Sequence, residues 1–493
     1  MTMRVARRWW AVAAMLFVPL LLLIFLRVAA HFDAQFFSPH SHLVVVAGIA
    51  ALALAIALAA VLSARTTHHA SLVLVGCGAA GLGILMLGHG LTTPGVLGQP
   101  DNPWVGRLPV LAMAVFATGL FLAGLGIDHR LNRWVGRHSS GFVLAMLGVM
   151  AVATAVVVFD PTVVAVTAWE EDAFDVLTAV TVGLCLVTMS THWQRWQLGR
   201  DTVQLALVFA AAMTIAAAIS LQHGRFGQLS WWDYHAYLLA GFGAAVYAVV
   251  HRVGQTREVT EVLGSAFSDD PFEHIVRGYP DALRQLVRAV EIKDAYTHGH
   301  SKRTARVATQ LGIRMGLPPE SLRVIARGAY LHDLGKIGIP DHILNKPDRL
   351  TPEERAVIET HPQLGYEIAS GAASLAETLG VILHHHERFD GGGYPHGIAN
   401  TTIPLEARVV TVADVWDALT SDRAYRKGWA PSDALAHIEA GRGTHFDPAV
   451  VDAMVQLAAE WGIRPTGSGE PEEAWAAAQT CHQVDPNADL VGA

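Results

Sequence analysis

Cysteine is nearly absent from this chain, with three in 493 residues. Cys77, Cys185 and Cys481 are far apart and two of them fall in apolar runs, which excludes a disulfide framework and a CxxC metal site. A basic surplus is lacking too. With 35 Lys and Arg against 43 Asp and Glu the formal net charge is −8, so there is no electrostatic footprint of a protein that binds a nucleic-acid polymer. The second half lacks alternating apolar and polar stretches of strand length, which leaves an all-α domain there. Charge is scarce overall: 16% of residues are Asp, Glu, Lys or Arg against 52% hydrophobic. A mean hydropathy of +0.34 is too high for an ordinary soluble chain of this length.

The apolar excess lies before about residue 250. Runs such as Leu43 to Leu62 carry no charge over the roughly 20 residues needed to cross a bilayer core. Eight such segments are expected to span: Trp10 to Val28, Leu43 to Leu62, Leu72 to Leu91, Leu108 to Ile127, Phe142 to Phe159, Phe174 to Met189, Val203 to Leu221 and Tyr234 to Val250. The sixth and eighth are short. With eight spans, most loop arginines, among them Arg65, Arg130, Arg133, Arg137, Arg195, Arg200 and Arg252, fall on one side, and Asp33, Asp101, Asp160, Glu170, Glu171 and Asp172 on the other. Basic residues are retained on the cytoplasmic side, so both termini are expected there, in a multi-pass protein of the inner membrane. The basic start with its apolar stretch resembles a secretory signal, but Arg27 sits where a cleavage region would be and more spans follow. An uncleaved first span is expected.

Past His251 the composition turns to mixed charge. The expected organisation is a membrane domain over 1–251, a linker over 252–280, a helical domain over 281–465 and a flexible tail over 466–493. Leu283, Leu286, Val287 and Val290 recur at the spacing of an amphipathic helix, as do Leu322, Ile325, Ala326 and Ala329. The second of these runs leads to the stretch YLHDLGKIGIP, where Gly335 and Pro340 are expected to stop the helix.

The helical part is rich in histidines beside carboxylates: His300, His332 with Asp333, His361, His384 to Glu387, and Asp414 with Asp417. Imidazole and carboxylate without thiolate suit Fe, Mn, Ni or Zn and argue against a structural zinc site of the Cys type. Standing alone, a His-Asp pair is more often a capping or surface pair, and three consecutive histidines are as readily a polar loop. Asp414 is harder to dismiss, because it interrupts an apolar run and a buried carboxylate needs a partner. Two divalent ions bridged by a carboxylate suit phosphoester hydrolysis, since they lower the pKa of a shared water and stabilise both oxygens of the displacement.

From GHS at 299–301, HDLGKIGIPDHILNKPDRLTPEE at 332–354, HPQLG at 361–365, HHHERFDGGGYP at 384–395, VADVWDALTSDRAYR at 412–426 and GTHFDP at 443–448, residues 281 to 465 resemble the HD-GYP family of the HD phosphohydrolase superfamily. The resemblance implies an all-helical domain with a non-haem metal centre that hydrolyses cyclic di-GMP to the linear dinucleotide pGpG, or on to GMP. By motif it implies metal ligation by His300, His332, Asp333, His361, His385, His386 and Asp414, with Asp333 bridging. It implies two divalent ions, Fe or Mn first, with Ni and Zn as alternatives. Asp333 and Lys336 would be catalytic, and Lys336, Tyr394, Arg423 and Arg426 would meet the substrate. The three glycines Gly391 to Gly393 offer positive φ for a loop that closes on the dinucleotide. A homodimer and docking of other signalling proteins are further implications.

One departure is Tyr296, at a position where some members carry a Glu that helps hold a third metal. A phenol is a poor ligand at neutral pH, so two metals and release of the linear dinucleotide are expected. Two rivals stay open: a phosphohydrolase for another cyclic dinucleotide, and a non-catalytic cyclic di-GMP receptor. The membrane half reads as a signal input. His31, Asp33, His40, His42, His89 and His235 gather near span ends on the outer side, either as a site for a metal or small ligand or, more economically, as interfacial residues that anchor the spans.

Overall fold

The computed structural model describes residues 2–67, 69–97, 102–125, 130–160, 171–256, 259–267, 270–276, 281–294, 299–422 and 427–463. Tyr296, Arg423, Arg426 and the expected tail lie outside them. The described residues are helical with no strand, apart from isolated bridges between Gln35 and Gln228 and between Arg442 and Phe446. The chain divides into two compact units, Met1–Asp269 and Asp270–Ala493.

The first unit is built from α1 (Thr2–Val28), α2 (Pro39–Thr67), α3 (Ala70–Leu91), α4 (Leu108–Ala123), α5 (Arg130–Arg137), α6 (Ser139–Phe159), α7 (Glu171–Gly199), α8 (Thr202–His223), α9 (Leu229–Thr256) and α10 (Val259–Ala266). Each expected span overlaps one of these helices, the fourth from Leu108 to Ala123. Six of them, α2, α3, α6, α7, α8 and α9, are long and apolar enough to cross a membrane. The apolar stretch Ala14–Val28, within the 27-residue α1, and α4 are shorter apolar helices at the first and fourth expected spans. The two segments expected to be short are the reverse: they lie within α7 and α9, of 29 and 28 residues. Helical hydrogen bonding continues there into polar ends such as Gln194 and His251, which the apolar pattern alone does not register.

Burial orders the bundle. α3 is 83% and α8 is 72% buried over their apolar windows, against 17% for α6, so α3 and α8 form its centre. Small residues make this packing close: a Cβ on Gly119 of α4 would stand 2.7 Å from the Leu74 carbonyl oxygen and 2.9 Å from the Gly78 Cα of α3. At the start of α9, Asp33 accepts from the Ser230 amide at 2.8 Å and its hydroxyl at 2.7 Å, satisfying a donor that the helix end leaves open.

The second unit comprises α11 (Pro271–Val276), α12 (Asp281–Lys293), α13 (His300–Arg314), α14 (Pro319–Leu331), α15 (Asp341–Leu344), α16 (Pro352–Ile358), α17 (His361–Ser370), α18 (Leu379–His384), α19 (Leu405–Thr420), α20 (Pro431–Ala440) and α21 (Pro448–Glu460). The amphipathic patterns place its core. Val287 and Val290 of α12 are buried with Leu331, Leu334 and Ile382, and Leu322, Ile325, Ala326 and Ala329 form the buried face of α14. The helix start at α16 follows from its sequence: Thr351 and Glu354 form a reciprocal capping box, with Pro352 at the first helical position.

Gly335 does not stop α14, which already ends at Leu331. It lies inside a 3₁₀ turn, Leu334–Gly338, that presses against the start of α17. A Cβ there would stand 1.9 Å from the His361 carbonyl oxygen and 2.5 Å from the Gly365 nitrogen. Backbone approach, which only glycine permits, thus joins the His332-Asp333 corner to His361. Gly335→Ala is expected to destabilise this unit by about 1–3 kcal/mol, seen as a lower thermal midpoint of the purified full-length chain. Gly338→Ala, whose Cβ would meet only the flexible end of Leu364 at 3.1 Å, is expected to leave the midpoint nearly unchanged.

Candidate metal centre

Helix ends supply most of the polar groups. His332 and Asp333 follow the last turn of α14, His361 opens α17 just beyond α16, His385 and His386 follow α18, and His300 opens α13. Asp414 projects from the middle of α19, a helix buried along most of its length. The mean exposure of this set is very low: His300, His332, His361 and His385 are at most 2% exposed and Asp414 is 3% exposed.

Three of these histidines are held in the same way. Nδ1 donates to the carbonyl three residues earlier: His332 to Ala329 at 2.7 Å, His361 to Ile358 at 2.9 Å and His385 to Ile382 at 2.9 Å. A carbonyl only accepts, so Nδ1 carries the proton and a neutral ring keeps its lone pair on Nε2. Those Nε2 atoms face inward. His361 Nε2 is 3.3 Å from His385 Nε2 and 3.5 Å from Asp333 Oδ1, while His332 Nε2 is 3.4 Å from Asp333 Oδ2 and 3.6 Å from Asp414 Oδ1. His300 Nε2 lies 3.0 Å from Asp414 Oδ1 and 4.0 Å from Asp333 Oδ2. Asp333 therefore turns one oxygen toward His361 and the other toward His332 and His300.

His300 is held through its other nitrogen. Nδ1 is 2.7 Å from Asp417 Oδ2, and Asp417 in turn accepts from Arg303 Nε at 2.7 Å and from its Nη2 at 3.0 Å. Asp417 lies one turn from Asp414, so α19 presents one carboxylate to the cluster and one behind it. Lys336 is 1% exposed, with its ammonium 2.9 Å from Asp333 Oδ2 and 3.1 Å from Asp294 Oδ2. It is an interior charge held between two carboxylates.

The electrostatics divide the cluster. Burial lowers the His361 pKa to about 4 and holds His385 and His386 well below the ordinary imidazole value. Burial also disfavours charge on His300, but Asp414 and Asp417 prevail and raise it to about 9. His332 is raised as well, where Asp333 outweighs the desolvation. Desolvation works against ionised Asp333 and Asp414, yet His332 and Lys336 hold the first, and His300 and His332 the second, well below the usual carboxylate range.

The donor set fits divalent metal ions. Nε2 of His300, Nε2 of His332 and Oδ1 of Asp414 are buried and make no hydrogen bond, although they converge. Orphaned donors and acceptors of this kind are costly unless a further group satisfies them. Two subsets have ligand atoms within 4.8 Å of one another: His300, His332 and Asp333, and His361, His385 and His386. All ligand atoms are nitrogen or oxygen, the preference of Fe, Mn, Ni or Zn over softer ions. His384 is set apart, with Glu387 and His396.

Tyr394 stacks on His386 at 4.8 Å between centroids and 27° between planes, with its hydroxyl buried and without a hydrogen bond. Of the three loop glycines only Gly391 uses positive φ, at 86°. Gly393 is required for another reason, since a Cβ there would stand 2.4 Å from the Arg388 nitrogen and 2.5 Å from the His386 oxygen. The loop is strapped to the GTHFDP turn by Phe389 N–H to His445 O at 3.1 Å and Asp390 N–H to Thr444 O at 2.7 Å. Arg423 and Arg426 lie outside the described residues. Sequence reasoning gave no role to Asp294 or Arg303, and named Asp417 only beside Asp414 among the carboxylates, not as the partner of His300. The i, i+3 spacing from Asp414 was a signal for Asp417, while nothing in the sequence near Asp294 marks it as the partner of Lys336.

Asp417→Asn keeps the shape but removes the charge that holds the His300 ring. Partners that orient a metal-bound imidazole typically contribute 10–100-fold to affinity. A loss of about that size in Mn²⁺ affinity, measured on the full-length chain with an unchanged thermal midpoint, is the expected outcome.

Comparison with known proteins agrees with this geometry. Residues 284–450 match the family model described as HD domain. Over 197 residues the chain is 45% identical to the cyclic di-GMP phosphodiesterase response regulator RpfG of Xanthomonas campestris, covering 39% of this chain and 52% of that one. Over 235 residues it is 37% identical to a cyclic di-GMP phosphodiesterase of Pseudomonas aeruginosa, covering 48% and 56%. A 3′3′-cGAMP-specific phosphodiesterase of Vibrio cholerae is 33% identical over 178 residues, covering 36% and 34%. The chain thus spans about half the length of the first two relatives and about a third of the last. Residues 284–450 thus match an HD domain, and the motifs within them resemble those of the HD-GYP family.

Proposed function

We propose that this chain is a membrane-anchored, metal-dependent phosphodiesterase that opens cyclic di-GMP to linear pGpG, and in a further step to GMP, under control of its membrane unit. The observation that carries the reading is the convergence of five histidines and two carboxylates, several with unsatisfied buried atoms, inside an HD domain whose relatives bear the name of that activity. Two Fe or Mn ions, held by His300, His332, Asp333, His361, His385, His386 and Asp414, would supply positive charge to the phosphodiester and a water acidic enough to attack at neutral pH.

The protein's own part is to position and to exclude. Asp333 would serve both ions, since its two oxygens face different histidines. Lys336 contributes its charge through Asp333, because its ammonium is enclosed by Asp333 and Asp294. Tyr394 forms a wall against His386, and Arg423 and Arg426 contact phosphate or guanine in the bidentate manner of arginine. The basic residues gathered on one side of the apolar helices support a catalytic unit on the cytoplasmic side of the inner membrane. Similarity to the cGAMP-specific relative supports 3′3′-cGAMP as a second substrate.

The test is turnover by the full-length protein, loaded anaerobically with Fe(II) or Mn(II), with cyclic di-GMP and 3′3′-cGAMP offered separately. Cleavage of cyclic di-GMP to the linear dinucleotide is expected. It should fall to background on chelation and in a His332→Ala/Asp333→Ala double variant. Tight cyclic di-GMP binding without cleavage by the folded, metal-loaded chain would replace the enzyme reading with a receptor, and preferential cleavage of 3′3′-cGAMP would reassign the substrate.

A further inference from the structure

A second histidine cluster lies within the membrane unit, far in sequence from the HD domain. His42 near the start of α2, His89 near the end of α3 and His235 near the start of α9 are each at most 1% exposed. Their Nε2 atoms converge: His42 to His235 at 2.8 Å and His42 to His89 at 3.0 Å. The Tyr234 hydroxyl is 2.8 Å from His89 Nε2. The other polar residues near these span ends are not part of it, since His31 stacks on Phe32, His40 is exposed and Asp33 serves Ser230.

Proton placement is decisive. His89 Nδ1 is 2.6 Å from the Val105 carbonyl, which can only accept, so Nδ1 carries the hydrogen and Nε2 is a bare lone pair. Thr93 donates its hydroxyl hydrogen to the His89 carbonyl at 3.0 Å. With that hydrogen on the carbonyl, its oxygen accepts from His42 Nδ1 at 2.9 Å, and in this tautomer His42 Nε2 is a lone pair as well. The two lone pairs face each other at 3.0 Å inside a buried, apolar bundle. Tyr234 can serve one and a hydrogen on His235 Nε2 the other, yet their mutual repulsion remains. A cation between them removes it. Holding His89 and His42 by the second nitrogen, on a carbonyl and a hydroxyl, is the support that metal-bound histidines ordinarily have.

We propose that His42, His89 and His235 bind one divalent late transition-metal ion of the Zn²⁺ or Cu²⁺ kind, with Tyr234 as the fourth ligand, its phenol proton displaced by the ion and released to solvent on binding. Three imidazoles select such an ion over Mg²⁺ or Ca²⁺. Nitrogens about 2.0–2.1 Å from zinc sit slightly farther apart than these do, so only a few tenths of an ångström of ring movement is needed. The phenolate supplies negative charge where no carboxylate joins the cluster, and burial makes an uncompensated divalent charge costly.

The experiment uses the full-length chain in lipid nanodiscs with His332→Ala/Asp333→Ala to reduce metal at the HD domain. The protein is stripped with chelator, reloaded with Zn²⁺ or Cu²⁺, desalted and counted by mass spectrometry of the metal. Adding His89→Ala is expected to lower the retained count by one ion. In the Cu²⁺ form a visible phenolate-to-copper charge-transfer band is expected and should vanish in Tyr234→Phe. Thr93→Val leaves all three imidazoles in place and is expected to weaken binding about 10–100-fold, which keeps the test decisive should His89→Ala not fold. No retained ion, a count unchanged by His89→Ala, or an affinity unchanged by Thr93→Val would each overturn the proposal.

Discussion

Asp333 is an ionised carboxylate in the interior of a helical domain, 6% exposed, and the second unit is arranged around the need to compensate it. One oxygen faces Lys336 and His332, the other His361. Lys336 is itself buried and requires Asp294. Removing Lys336 or either of its carboxylate partners would leave an uncompensated charge in a poorly solvating interior, so these three persist only together. The domain therefore holds a set of charges that would be costly as a fold alone, and costly buried charge is found where chemistry needs it.

Short helices are the means by which so many polar groups reach one point. Each of α14, α16 and α18 ends at the cluster, and its last turn offers carbonyls that no intrahelical donor uses. A histidine placed just past the end takes one of those carbonyls with Nδ1 and turns Nε2 inward. The same contact satisfies the helix end and fixes the tautomer. Gly335 lets two of these ends meet backbone to backbone, which explains a glycine at a position where helix termination alone would accept many residues.

Legibility followed physical range. The apolar helices of the first unit and the amphipathic α12 and α14 were readable because burial repeats along the helix, a local signal. The histidines were readable as one ligand chemistry, and their motif order carried the resemblance to the HD-GYP family. What stayed hidden was tertiary. The pairing of Lys336 with Asp294 joins residues 42 apart in sequence, and the close approach at Gly335 depends on where α17 passes. Composition also underestimated α7 and α9, since their polar ends are helical through backbone hydrogen bonding that hydropathy does not measure. His42, His89 and His235 were legible only as a gathering near span ends, without the proton arrangement that separates a ligand set from interfacial anchors.

The two histidine clusters share one construction and differ in charge. Both fix imidazole tautomers through Nδ1 and direct Nε2 lone pairs inward. In the HD domain, Asp333 and Asp414 bring two negative charges among five imidazoles, so two divalent ions there would keep residual positive charge to attract a phosphodiester. In the membrane unit no carboxylate joins the three imidazoles, and a phenol is the sole anionic group within hydrogen-bonding reach among the described contacts. An ion there would be held by neutral donors and one phenolate, deep in an apolar bundle with no exposed ligand. That environment favours a resident or sensed ion over one that meets a dinucleotide, because an open coordination position and a solvated path for an anionic substrate are what hydrolysis requires. The difference in charge, more than the shared imidazoles, separates the chemistry the two clusters can perform.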